Sequence, residues 1–194
     1  MARTGMTALL EELRGLVEAG SAEYTIGTTL YWSDNALQDV LDLHRNDLIH
    51  HELTPRPVVG TSGTSIYYDY LANYGFFETT TAGSTIFSLQ NGGGTLLGTA
   101  LWSADYRRGI VTFASDALGS AVFLTGRSYD LHASAAEIWR KKAAHYAPTS
   151  FNFSTDNHSI SREQVYQHCL EMSRYFEGVS QDSIQSTSLY RSDM

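Results

Sequence analysis

The sequence predicts an α+β fold: an antiparallel helical bundle with an inserted small antiparallel β subdomain and an extended C-terminal arm. Three observations lead there. Apolar residues recur at helical spacing toward both ends of the 194-residue chain. Residues 58–126, between those stretches, are rich in Thr, Tyr, Phe, Val, Ile and Gly and nearly free of helical period. Residues 179–194 are polar and without period. The domain reading is a helical core from 1–54 and 127–178, a β-rich subdomain over 55–126 and an arm over 179–194.

In chain order, residues 7–19 read as a first helix with Leu9, Leu10, Leu13, Leu16 and Val17 on one stripe, and Gly20 stands where a C-terminal cap belongs. The next stretch is mixed and reads as extended. A second helix starts at Ser33 or Asp34, both good N-caps, with Leu37, Val40, Leu41, His44 and Leu48 on one face. Pro55 and Pro57 bar its continuation. His50 and His51 fall near its end, where imidazolium complements the helix dipole, and they lack the ligand spacing of a metal site. Candidate strands cover 65–70, 85–89, 96–101, 110–114 and 121–125, with residues 105–109 as a hairpin turn. Gly92, Gly93 and Gly94 are not followed by the Lys-Ser/Thr pair and helix of a phosphate loop.

Asp130 caps a third helix that Pro148 ends, with Leu131, Ala135, Ile138, Lys142 and Tyr146 on one stripe. Ala133, Ser134, Ala135 and Ala136 leave room for a neighbouring helix. A loop over 151–161 follows. A last helix opens at Ser161 with Gln164 as a capping box, buries Val165, Cys169, Met172 and Phe176, and closes at Gly178.

Composition narrows the function. A hydrophobic fraction of 42% with 18% charged residues fits a chain with a core. The net charge of -8 argues against binding DNA through its phosphates, yet suits a wall that repels them. Cys169 is the one cysteine, which excludes an intramolecular disulfide and a multi-cysteine metal site; it reads as a buried small hydrophobe. No apolar run approaches bilayer length, and Glu11 and Glu12 interrupt what would be a signal peptide, so folding in the cytoplasm is expected. The strongest chemical cluster is Thr155-Asp156-Asn157-His158-Ser159. A hydrolase would use Asp156 to orient His158 as a base. Without a nucleophile elbow or an oxyanion loop, the preferred reading is polar side chains bonding a loop backbone. No catalytic residue, cofactor or metal is assigned. Glu137 and Lys141 are spaced for a surface pair. Arg140, Lys141 and Lys142, on one helical turn, read as a solvated or interface face rather than a nucleic-acid patch.

The runs GRSYDLHASAAEIWRKKAAHYA and FNFSTDNHSISREQ, followed by the last helix, resemble the head–tail connector (adaptor) family of tailed bacteriophages and prophages. The matching residues are Trp32-Ser33-Asp34 with Leu37 and Leu41, Tyr129-Asp130-Leu131 with Ala135 and Ala136, and the segment 151–161. The resemblance covers the helical parts, and residues 58–126 depart from the shortest members. It implies a virion structural protein without an enzymatic site, made in the host cytoplasm and placed at the head–tail junction. Its implied partners are the portal protein, copies of itself in a ring, typically a dodecamer, and a downstream neck or tail terminator protein. DNA would pass through the ring's channel without specific binding, and no membrane is involved. In the arm, Ser188, Leu189, Tyr190, Arg191, Ser192 and Asp193 read as portal-binding anchors, since aromatic and arginine side chains often dominate interface energy. The rival readings are another neck or tail completion protein, a β-sandwich binding module, and the hydrolase with Asp156 and His158.

Overall fold

A computed structural model describes residues 2–19, 24–26, 29–60, 63–79, 86–149, 152–155, 158–161 and 163–180, with backbone alone for 24–26, 29–31, 149, 152–155 and 158–161. A 3₁₀ turn at Thr4–Met6 leads into α1 (Thr7–Val17), which buries Leu9, Leu10, Leu13 and Val17. The helix stops at Glu18, whose left-handed φ of 50° does the work expected of Gly20; Gly20 itself lies outside the described residues. The hairpin of β1 (Tyr24–Ile26) and β2 (Thr29–Tyr31) precedes α2 (Asp34–Leu43). Ser33 caps α2 by accepting from the Ala36 N–H at 3.3 Å, and Leu37, Val40 and Leu41 are buried.

The second helix is shorter than its apolar pattern predicts. The His44 carbonyl accepts from the Asp130 N–H at 3.0 Å, and the chain leaves the helix there for β3 (Arg45–Glu52). Leu48, His50 and His51 therefore stand on a strand. The strands β4 (Thr54–Val59), β5 (Ser65–Leu71), β6 (Ser88–Asn91), β7 (Trp102–Asp105), β8 (Ile110–Phe113) and β9 (Val122–Tyr129) follow. They form two antiparallel sheets, ordered β3-β9-β6 and β4-β5-β8-β7. The two prolines that end the predicted helix both sit in β4, an edge strand, where a missing N–H costs least, and the register of β4 shifts between Arg56 and Val58, at Pro57. The expected strand over 96–101 is absent: Leu96 makes a single bridge to Gln90, a 3₁₀ turn covers Thr99–Leu101, and pairing begins at Trp102.

The two sheets share one core. Leu89, Val122 and Leu124 come from the first and Tyr70 and Val111 from the second, with Leu53, Phe77 and Phe87 filling between them. Burial alternates along β9 as expected for a strand with one face inside. At the β7–β8 hairpin the Asp105 carboxylate accepts from the Arg107 and Arg108 N–H groups, both at 3.1 Å. Gly109 closes this turn with φ 65°, and a Cβ there would stand 1.8 Å from the Tyr74 carbonyl oxygen, so no other residue fits.

α3 (Leu131–Tyr146) follows β9 and is capped by Asp130, which accepts from the Ala133 N–H at 2.9 Å. Where a loop is expected, β10 (Asn152–Thr155) and β11 (His158–Ser161) form a hairpin. α4 (Glu163–Val179) runs through Gly178 instead of stopping at it. Ser180 meets Asp130, Ser173 meets Ala136 and His168 meets Trp139, so α3 and α4 are antiparallel. Val165, expected in the buried stripe of α4, is exposed.

The expected antiparallel bundle is not formed. A bundle needs helices of similar length whose stripes match from end to end. Here α3 and α4 have 16 and 17 residues, whereas α1 and α2 have 11 and 10 and each covers only part of α3. The helical core gathers Leu13 and Val17, Leu37 and Leu41, Ile138 and Trp139, and Phe176 around α3. Each fully buried leucine there contributes about 2 kcal/mol over its exposed state. The fold is α+β, with a helical cluster joined to a two-sheet core.

Candidate functional site

The join between the two cores is made by residues 74–79. Phe76, at φ 55°, packs against the helical core and meets the His132 ring edge-on at 6.5 Å. The next residue, Phe77, lies in the sheet core, with the Phe87 ring 5.3 Å away. The segment is held on both sides: Phe76 N–H donates to Arg107 O, Phe77 N–H to Tyr106 O, Glu78 N–H to Arg127 O and Tyr129 N–H to Phe76 O. Thr79 donates from both its N–H and its hydroxyl to Gly5 O, and a Cβ on Gly5 would come within 2.4 Å of Thr79 O.

The Glu78 carboxylate lies at this join with 0% exposure. Its Oε1 accepts from Arg3 Nε at 3.0 Å and its Oε2 from the Tyr129 hydroxyl at 2.8 Å, with Arg127 Nη1 at 3.6 Å. Arg3 also forms a fork onto Asp42, Nη1 to Oδ2 at 2.9 Å and Nη2 to Oδ1 at 2.7 Å, and Nη2 donates to the Tyr129 oxygen at 2.9 Å. The Arg3 guanidinium bonded to Asp42 holds that carboxyl below its ordinary range, and the same bond raises the Arg3 guanidinium. Burial first, then the bond to Glu78, pushes the Tyr129 hydroxyl well above its ordinary value. The buried carboxylate is offset by two guanidinium groups, and both its oxygens already accept. Chemically the cluster is a tie: it clamps the chain start, α2, β9 and the 74–79 segment together.

Sequence reading does not find this cluster. Its members are 39 to 126 residues from Arg3. The one local sign is a glutamate directly after two phenylalanines.

Of the residues predicted to meet partners, Arg140 and Lys141 lie on the surface of α3. Arg140 bonds Glu177 of α4, and Lys141 lies 3.3 Å from Glu137, the expected pair. Lys142 is a correction: it is 3% exposed, donates to Val17 O at 2.7 Å and lies 4.7 Å over the Trp139 ring. It joins α3 to the end of α1 and cannot face a partner, because its stem belongs to the helical stripe and its ammonium is consumed there. Ser188, Leu189, Tyr190, Arg191, Ser192 and Asp193 lie outside the described residues, as does Asp156. The backbone of His158 pairs with that of Thr155. His50 stacks on Phe123 at 4.1 Å, and His51 Nε2 lies 2.9 Å from Ala72 O, so both are strand contacts rather than helix-end charges. Among the described residues no group of three or more His, Cys, Asp or Glu is placed to hold a metal ion, and no helix is long and apolar enough to cross a membrane.

The described surface carries large apolar side chains on both halves. Leu43 at the end of α2, Val165, Tyr175 and Val179 on α4, Ile49 on β3 and Val58 and Val59 on β4 are all exposed. No protein-family model matches the chain, and no match is found among curated proteins or solved structures.

Proposed function

We propose that this chain is a structural subunit of a phage neck, a head–tail connector that assembles as a ring on the portal. Its partners are the portal protein, further copies of the chain, and a downstream neck or tail terminator protein. The observation that carries the reading is the outward-facing apolar surface on both halves, with Leu43 70%, Ile49 79% and Val59 75% exposed. Apolar area left in water forgoes about 25 cal/mol per Å², and contiguous patches of it mark interaction surfaces. A ring repeats one modest contact many times and so turns it into firm attachment. The buried ionic cluster fits such mechanical work, since it locks the two halves of each subunit together. The net charge of -8 suits a channel through which DNA must slide. The virion neck is the location this reading assigns.

The test is co-sedimentation of the purified chain with portal rings, followed by imaging of the complex. Added ring density on the portal is the expected result. Binding to tail tube but not to portal would replace this reading with the second one, a binding module, which the shared core of the two sheets favours.

A further inference from the structure

One end of the four-stranded sheet is apolar and almost free of charge. β4 closes there at Val59, β5 opens at Ser65, β8 closes at Phe113 and Leu101 leads into β7. The Ala117 N–H donates to Tyr67 O and the Ala114 N–H to Leu101 O, so the loop after β8 lies across this end. Val58, Val59, Tyr68, Leu101 and Leu118 are exposed large apolar side chains, Val59 at 75% and Leu118 at 79%. The segments 57–68, 96–104 and 113–121 carry one acidic or basic side chain, Asp116. Its carboxylate is used inside the fold, where Oδ1 accepts from the Tyr67 and Leu118 N–H groups, both at 2.9 Å.

The lack of charge narrows what can cover this end. Nucleic acid, acidic headgroups or a charged protein surface would find no counter-charge there and would lose their own hydration. The surface that fits is itself apolar and uncharged, as the centres of protein interfaces are. Two copies of a chain with net charge -8 repel each other. They approach at least cost through an end that has no free charge.

The backbone selects the occupant. β4 is an edge strand. Pro55 and Pro57 have no N–H to offer, which closes the first part of its open edge. Val59 stands opposite Ser65, and the Gly60 N–H donates to Thr64 O at 2.8 Å. By the alternation of an antiparallel ladder, the N–H and C=O of Val59 therefore point away from β5, toward the open edge. A donor and an acceptor on one residue match the same two groups on a second copy turned about a two-fold axis. We infer that two copies of this chain pair β4 to β4 antiparallel, with Val59 opposite Val59, and cover this apolar end with each other. Such an isologous contact is separate from the head-to-tail contacts that close a ring, so the inference does not rest on the connector reading.

The experiment uses the full chain and two variants, Val59→Glu and Val59→Lys. The side chain is exposed, so the fold is kept, and circular dichroism verifies it. Sedimentation velocity over a concentration series is the readout. The expected result is a reversible dimer of the parent chain, weakened at least about tenfold in either variant alone, because like charges then stand directly opposite each other. An equal mixture of the two variants recovers the dimer, since glutamate meets lysine across the axis. A parent chain that stays monomeric, variants that associate as the parent does, or a mixture that does not recover overturns the pairing. So does a monomeric parent chain that floats with neutral phosphatidylcholine vesicles, since a bilayer is then what covers this end. Portal co-sedimentation of the same proteins keeps the two ideas apart: portal binding without the dimer defeats this inference alone, and a dimer without portal binding defeats the connector alone.

Discussion

Arg3 bonds Asp42, Glu78 and Tyr129 with one side chain, so substitutions around it are coupled. Glu78→Gln keeps the shape but leaves the guanidinium groups of Arg3 and Arg127 without their buried counter-charge. We expect a loss of about 3 kcal/mol, read as the urea midpoint. Tyr129→Phe removes a hydroxyl that both donates and accepts, at about 1–2 kcal/mol. The double variant should cost less than the sum, which a double-mutant cycle measures. Asp42 adds a pH dependence. Its carboxyl is held below the ordinary 3.8, so the Arg3 pair stabilises the fold above that value. The contribution is lost as pH falls through the depressed folded value. Melting temperature followed from neutral pH down past 3.8 should therefore fall more steeply in the parent chain than in Asp42→Asn.

At the scale of elements, α3 is the hub of the helical half. Asp130 caps its start and also accepts from the Ser180 hydroxyl at 2.7 Å, which pins the end of α4 to the start of α3. Asp130→Ala should cost about 2 kcal/mol, at the upper end for a cap, because two elements lose a bond. Thermal unfolding of Asp130→Ala beside Ser180→Ala separates the two parts. The β7–β8 hairpin has its own test. Gly109→Ala forces a side chain against Tyr74 O in a left-handed turn, and the 74–79 join hangs on that hairpin through Arg107 and Tyr106. Both cores should loosen together, seen as earlier hydrogen exchange of β8 and of the α1 amides; an effect confined to β8 would show that the join does not couple them.

For the whole molecule, the two cores unfold as one unit if the 74–79 segment and the Arg3 cluster hold them as described. The predicted portal anchor is tested by truncation after Ser180, not after Gly178, because Val179 closes α4 and Ser180 bonds Asp130. The shortened chain should keep its helix content and melting temperature and lose co-sedimentation with portal; unchanged portal binding would move that interface onto the exposed surfaces of the described residues. The acidic balance makes a further demand. DNA binding by the isolated chain should be weak at physiological salt, and a tight, salt-sensitive complex would contradict the role of a sliding channel wall.

The sequence by itself determined the local features. Ser33 and Asp130 cap their helices, the stripes of α1 and α2 are buried at Leu9, Leu13, Leu37 and Leu41, Cys169 is inside, and the turn at 105–109 is a hairpin. Caps, periodicity and turn chemistry act over a few residues, so a window of sequence contains their cause. What the tertiary structure alone decided acts at long range. His44 gives its carbonyl to Asp130, and this ends α2 and turns the predicted helical residues Leu48, His50 and His51 into a strand. Pro55 and Pro57 could enter a strand because β4 stands at the edge of its sheet and pairs on one side, with β5. Lys142 left the surface because the open carbonyl of Val17 lies within its reach, and the helices could not form a bundle because two of them are too short to follow α3. The Arg3–Glu78–Tyr129 cluster left one local sign, a glutamate directly after two phenylalanines. Its charges are tolerable only inside the fold that brings them together, since a buried carboxylate is costly until its partners arrive.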